Sequence, residues 1–76
     1  MNEKLLRVLA DTLGLKTSEI SETTSIENTP AWDSVIHLNL VLSLEQEFGL
    51  KFSPEEFMRM QSVHAIQETL ARHGRP

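Results

Sequence analysis

Apolar side chains recur at helical spacing in several stretches of this chain, and nowhere do they alternate as a strand would. In the first stretch Leu5, Leu9 and Leu13 repeat with Leu6, Val8 and Ala10 beside them; Asn2 is a cap type at the start, Gly14 a stop, and Leu15 the apolar residue that packs back on a Schellman-type last turn. A second helix is predicted from Asp33 or Ser34, both cap types, to Phe48, with Gly49 as its stop. "FSPEEF" then gives Ser53 as cap, Pro54 at the first helical position and Glu55 and Glu56 in the first turn of a short helix reaching about Met60. Ser62 caps a last helix carrying Val63, Ile66 and Leu70, with Arg72 and His73 near its end and Gly74 beyond. The pattern predicts an all-α domain over residues 1–76, a small four-helix bundle of three main helices and one short one.

From Lys16 to Asp33 the chain is polar, with Ile20, Ile26 and Trp32 as its large apolar residues. So long a connection in so small a domain is either functional or pinned, and Ile20 and Ile26 are the expected anchors. Pro30 forbids a helix through this segment and holds Thr29 extended. Trp32 is either a further anchor or a contact near whatever the next helix presents.

The second helix has more apolar residues than one buried face needs. At about 100° per residue, Leu40, Val41, Leu44 and Phe48 share a sector centred on His37, the expected core face. Val35, Leu38 and Leu42 make a second stripe beside Ser34 and Glu45. Asn39, Ser43, Gln46 and Glu47 share a polar face on which Ile36 is the one apolar residue. Either the helix is central and buried on both sides, or the second stripe is an exposed patch, rimmed by Asp33 and Glu45, that docks partner proteins.

Length and charge narrow the options. A chain of 76 residues buries a limited core and encloses no large active site. With no cysteine it has no disulfide, no thiolate ligand and no thiol nucleophile, which agrees with a cytoplasmic setting. The charged residues among the first apolar positions fit neither a signal peptide nor a membrane span, so a soluble, complete chain is expected. The net charge of −4 is uneven: no lysine or arginine occurs between Thr17 and Leu50, where six acidic residues stand. That segment repels phosphate backbones and favours basic protein partners, so neither nucleic acid nor membrane is an expected partner.

The candidate chemistry centres on Ser34. His37 and Asp33 are near it in sequence, but local spacing makes no triad and no G-x-S-x-G elbow surrounds the serine, which leaves a hydrolase weakly supported. His37, His64 and His73 lack metal-site spacing and read as surface or half-buried histidines, and Met58 and Met60 as flexible core filler. A serine at a helix N-terminus can also carry a phosphate ester, since the helix dipole and free N–H groups favour negative charge there. The Asp-Ser pair alone argues only for an N-cap.

The order of motifs adds to this. A first helix ending in "LGLKTSEIS", a long acidic loop with "TTSIEN", "DSV" opening a helix that ends in "LEQEFGLKFSPEEF", and then "SVHAIQETL" resemble, across nearly the whole chain, the acyl carrier proteins, and more loosely the peptidyl carrier domains. The resemblance implies that Ser34 receives a 4′-phosphopantetheine arm from coenzyme A. The arm's thiol would hold acyl groups as thioesters and supply the sulfur the chain lacks. It further implies a non-catalytic monomer with no metal of its own, the second helix as recognition helix, and Asp33, Val35, Leu38, Leu42 and Glu45 as partner surface. The implied partners are a phosphopantetheinyl transferase and acyl-loading, condensing or tailoring enzymes with basic docking surfaces. The implied core is Leu40, Val41, Leu44 and Phe48 with Ile26, Ile66 and Leu70.

The sequence also departs from that pattern. Val35 replaces the usual leucine, "TPAW" replaces a smaller and more flexible lead-in, and Asn39 and Gln46 stand where acidic residues are common in fatty-acid carriers. These departures point to a specialised polyketide, peptide or unusual acyl pathway. The rival reading is an unmodified helical adaptor that binds a partner through Val35, Leu38 and Leu42. Residues 50–61, with Phe52, Phe57, Met58 and Met60, are expected to be a region of low stability, able to part for an acyl chain.

Overall fold

The computed structural model describes residues 1–75. It contains four α-helices, α1 (Glu3–Leu13), α2 (Ser34–Phe48), α3 (Pro54–Arg59) and α4 (Val63–Arg72), with a 3₁₀ turn at Thr17–Glu19. α1 packs on α2 and α3 on α4. The side chains of Leu5, Leu9, Leu40, Leu44, Met60, Val63, Ile66 and Leu70 are fully buried between them.

The helix ends follow the residue types that mark them. The Asn2 side chain accepts from Leu5 N–H, and Gly14 takes φ 68, so that Leu15 N–H reaches Ala10 O at 3.1 Å. Gly49 does the same for α2 at φ 63, with Leu50 N–H on Glu45 O at 3.1 Å. Two cations complete that end: Lys4 Nζ donates to Glu47 O at 3.1 Å and Arg75 Nε to Phe48 O at 2.9 Å. α3, only six residues long, is held by a capping box in which Ser53 Oγ accepts from Glu56 N–H and Glu56 Oε1 accepts from Ser53 N–H.

The long loop is pinned more firmly than two apolar anchors would achieve. Ile20 is buried and Ile26 half-buried, as expected of anchors. In addition Thr24 O accepts from Val63 N–H at 2.9 Å, Glu22 O from His64 N–H at 3.1 Å, and Gln61 O from Ile26 N–H at 2.9 Å. Ser25 and Ser62 thereby form an isolated antiparallel bridge in a chain whose sequence shows no strand pattern. The first N–H groups of a helix have no partner within it, and here loop carbonyls some forty residues earlier take them. Asn28 stitches the loop to itself, accepting from Ser25 N–H and donating to Thr23 O.

Two expectations need correction. Met58 is exposed on α3, and only Met60 fills the core. His37 is buried, not a surface or half-buried residue, for a reason given below. No helix among the described residues is long and apolar enough to cross a membrane.

Candidate functional site

α2 begins with a division of labour between adjacent residues. Asp33, extended at φ −101 and ψ −173, is the N-cap: its Oδ1 accepts from Ile36 N–H at 2.9 Å and its carbonyl from His37 N–H at 2.8 Å. Ser34 is therefore the first helical residue and not the cap. Its side chain is exposed, and among the described residues its hydroxyl makes no hydrogen bond within the chain. An uncommitted hydroxyl at the positive end of a 15-residue helix is set up to bear an anionic ester.

The face running down from Ser34 is apolar and open to solvent. Val35 is 68%, Leu38 49% and Leu42 53% exposed, whereas Leu40, Val41, Leu44 and Phe48 are in the core. This decides between the two sequence readings of the second stripe: it is a surface. Met58 of α3, 66% exposed, extends it. Between α2 and α3 the patch dips into an open groove of about 360 Å³ walled by Leu38, Val41, Leu42, Phe52, Phe57 and Met58. Ile36, on the polar face, is half-buried and packs against the core.

Glu45 is half-buried at the foot of this face, where its Oε2 accepts from Phe52 N–H at 2.8 Å. One oxygen is thus committed to holding the α2–α3 connection, a role that helical periodicity gave no sign of. Asp33 keeps its charge exposed beside Ser34.

His37 is not available to Ser34 as a base. The Trp32 indole N–H donates to its Nδ1 at 3.0 Å, and its Nε2 lies 2.8 Å from Phe57 O. Both ring nitrogens are committed in a buried setting, so the hydrolase arrangement is absent. Trp32 is almost wholly buried and is an anchor, which resolves the open reading of that residue. His73, at the end of α4, pairs through Nε2 with Glu56 Oε2 in the first turn of α3 at 2.8 Å. The Glu56 carboxyl is held below the usual glutamate range, chiefly by the Ser53 backbone N–H and with help from His73, against burial that acts the other way. Among the described residues no cluster of three or more His, Asp or Glu side chains gathers as a metal site.

Comparison with known proteins agrees with this geometry. Residues 3–70 match the family model described as a phosphopantetheine attachment site. An acyl carrier protein of Clostridium acetobutylicum is 30% identical over 71 residues, covering 93% of this chain and 92% of that protein. The chain belongs to the acyl carrier protein family. Another similar relative, an acyl carrier protein of Coprothermobacter proteolyticus, is 29% identical over 68 residues, covering 90% of this chain and 83% of the relative. Carriers of this family are non-catalytic and bear 4′-phosphopantetheine covalently. The all-helical bundle predicted from the sequence is the fold observed.

The chain's residues fit that group at the N-terminus of α2. A phosphodiester there needs an exposed hydroxyl, room around it and unpaired donors nearby. Ser34 provides the first two, and the Ser34 and Val35 N–H groups, which the Asp33 cap leaves free while it takes Ile36 N–H, provide the third.

Proposed function

We propose that this chain carries acyl or related units on a phosphopantetheine arm esterified to Ser34, and presents them to partner enzymes through the exposed face of α2. The observation that carries this reading is the juxtaposition of an uncommitted, exposed hydroxyl at the first position of α2 with the exposed stripe of Val35, Leu38 and Leu42 directly below it. When bound, the arm supplies a terminal thiol, and with it thioester chemistry, to a chain that has no cysteine.

The chain's own residues prepare the transfer. Asp33 caps α2 and frees Ser34 from that duty, so the serine oxygen can form its bond to phosphorus while the pyrophosphate bond of coenzyme A breaks and the nucleotide leaves. The serine proton goes to a base of the transferase, since His37 is engaged elsewhere. Val35, Leu38 and Leu42 offer the apolar centre of a docking surface, and the Asp33 and Glu45 carboxylates its acidic rim, which suits a basic partner. The neutral Asn39 and Gln46 make this face less acidic than in fatty-acid carriers, which supports service in a specialised polyketide, peptide or unusual acyl pathway, in the cytoplasm.

Incubation with coenzyme A, magnesium and a broad-specificity phosphopantetheinyl transferase tests the reading. One arm is expected by intact mass, with one thiol per chain where there was none, and neither in Ser34→Ala. A native chain that gains no mass under these conditions removes the proposal, and modification persisting in Ser34→Ala moves the site elsewhere.

A further inference from the structure

Trp32, Asp33, Ser34 and His37 occupy defined places about the start of α2. With Asp33 as N-cap, Trp32 is the residue before the cap and His37 the fourth residue of the helix. In many helices an apolar pair at these two places packs together and fixes the angle at which the chain enters. Here the pair is buried, with ring centroids 6.1 Å apart, and is joined by a hydrogen bond as well. Indole N–H can only donate, so His37 Nδ1 is an acceptor, Nε2 bears the proton, and that proton is donated to the Phe57 carbonyl. The carbonyl would otherwise be an orphan of the α3 terminus: Gln61 N–H, which one more helical turn would bring to it, bonds to Arg59 O instead. Indole, imidazole and carbonyl thus form a one-way chain from the residue two before Ser34, through α2, to α3.

We propose that Trp32 and His37 are positioning residues for Ser34, setting the serine's presentation to the transferase and tying it to the placement of α3. The inference rests on Ser34 being the attachment point. Neither ring touches solvent enough to meet a partner, so the device acts through backbone geometry and leaves the docking face unchanged.

The test is steady-state modification of the full chain by one transferase, comparing native protein with Trp32→Phe, which keeps an aromatic ring and removes the donor, at a temperature where both are fully folded. Expected is a fall in kcat of about tenfold with KM within about twofold, because misplacement of a reacting group penalises turnover more than docking. An unchanged kcat overturns the inference while leaving Ser34 as the site; a native chain that is not modified overturns both. Should Trp32→Phe fail to fold, nitrogen-15 spectra of the native chain decide. Expected are a His37 tautomer protonated on Nε2 and a scalar coupling across the Trp32 to His37 N–H···N bond. A proton on Nδ1, or no coupling, overturns the inference.

Discussion

Glu56 shows how much one side chain does in so small a protein. Its carboxylate accepts the Ser53 N–H that starts α3 and pairs with His73 at the end of α4, with Phe52 edge-on to the same imidazole at 5.4 Å. Because the folded state lowers its pKa, ionised Glu56 contributes stability at neutral pH, and that contribution is lost as pH falls through the depressed folded value. Glu56→Gln keeps an acceptor for the capping box and removes the charge. Thermal unfolding as a function of pH is expected to show the native chain more stable than Glu56→Gln at pH 7. The gap should close below the ordinary glutamate range, where the native residue is itself protonated. A gap independent of pH would assign the effect to packing alone.

At the scale of elements, the turns and the short helix set the limits. Gly49 at φ 63 ends α2 in a conformation that costs an L-residue roughly 1 kcal/mol, although a Cβ there would meet no atom within 4 Å. Gly49→Ala is therefore expected to lose about 1 kcal/mol in denaturant unfolding without changing the fold. α3 has no buried residue of its own, six residues of length, and ties at Ser53, Glu56, Phe57 and, beyond its end, Met60. Amide hydrogen exchange over residues 50–61 is expected to be faster than across α2, and equal protection would contradict this.

Those elements also separate what the sequence made legible from what it did not. Asn2, Gly14, Gly49, Ser53 with Pro54, and Ser62 placed five of the eight helix ends within a residue or two, because caps and stops are decided by local chemistry. The helical angle separated two apolar stripes on α2, but only the exposure of Val35, Leu38 and Leu42 in the folded chain made the second one a surface. Periodicity could not tell that Asp33 rather than Ser34 caps α2, since both types serve. It was equally blind to contacts made across the fold: His37 buried between Trp32 and Phe57, Glu45 holding Phe52, and loop carbonyls closing the start of α4.

For the whole molecule, the exposed apolar face of α2 runs from Ser34, beside the exposed Asp33 carboxylate, down to the half-buried Glu45 carboxylate at its foot. A partner with a basic surface should be steered there, and the seated complex should rest on Leu38 and its neighbours. Leu38→Asp is expected to raise KM for the transferase about tenfold with unfolding midpoint nearly unchanged, because the side chain is half exposed. Added salt should raise KM of the native chain over the range in which surface charges become screened. A Leu38→Asp variant modified as efficiently as the native chain would move the docking surface off α2.

The paired cations at the far end of α2 have a further consequence. Lys4 and Arg75 close on neighbouring carbonyls, Glu47 and Phe48, so the two extremities of the described chain lie together, about 21 Å along the helix from Ser34. A covalent tether at either extremity, whether a fusion to an enzyme, a bead or a head-to-tail peptide link, would leave from the pole opposite the serine. Attachment at either place would leave the Ser34 end of α2 facing away from the tether.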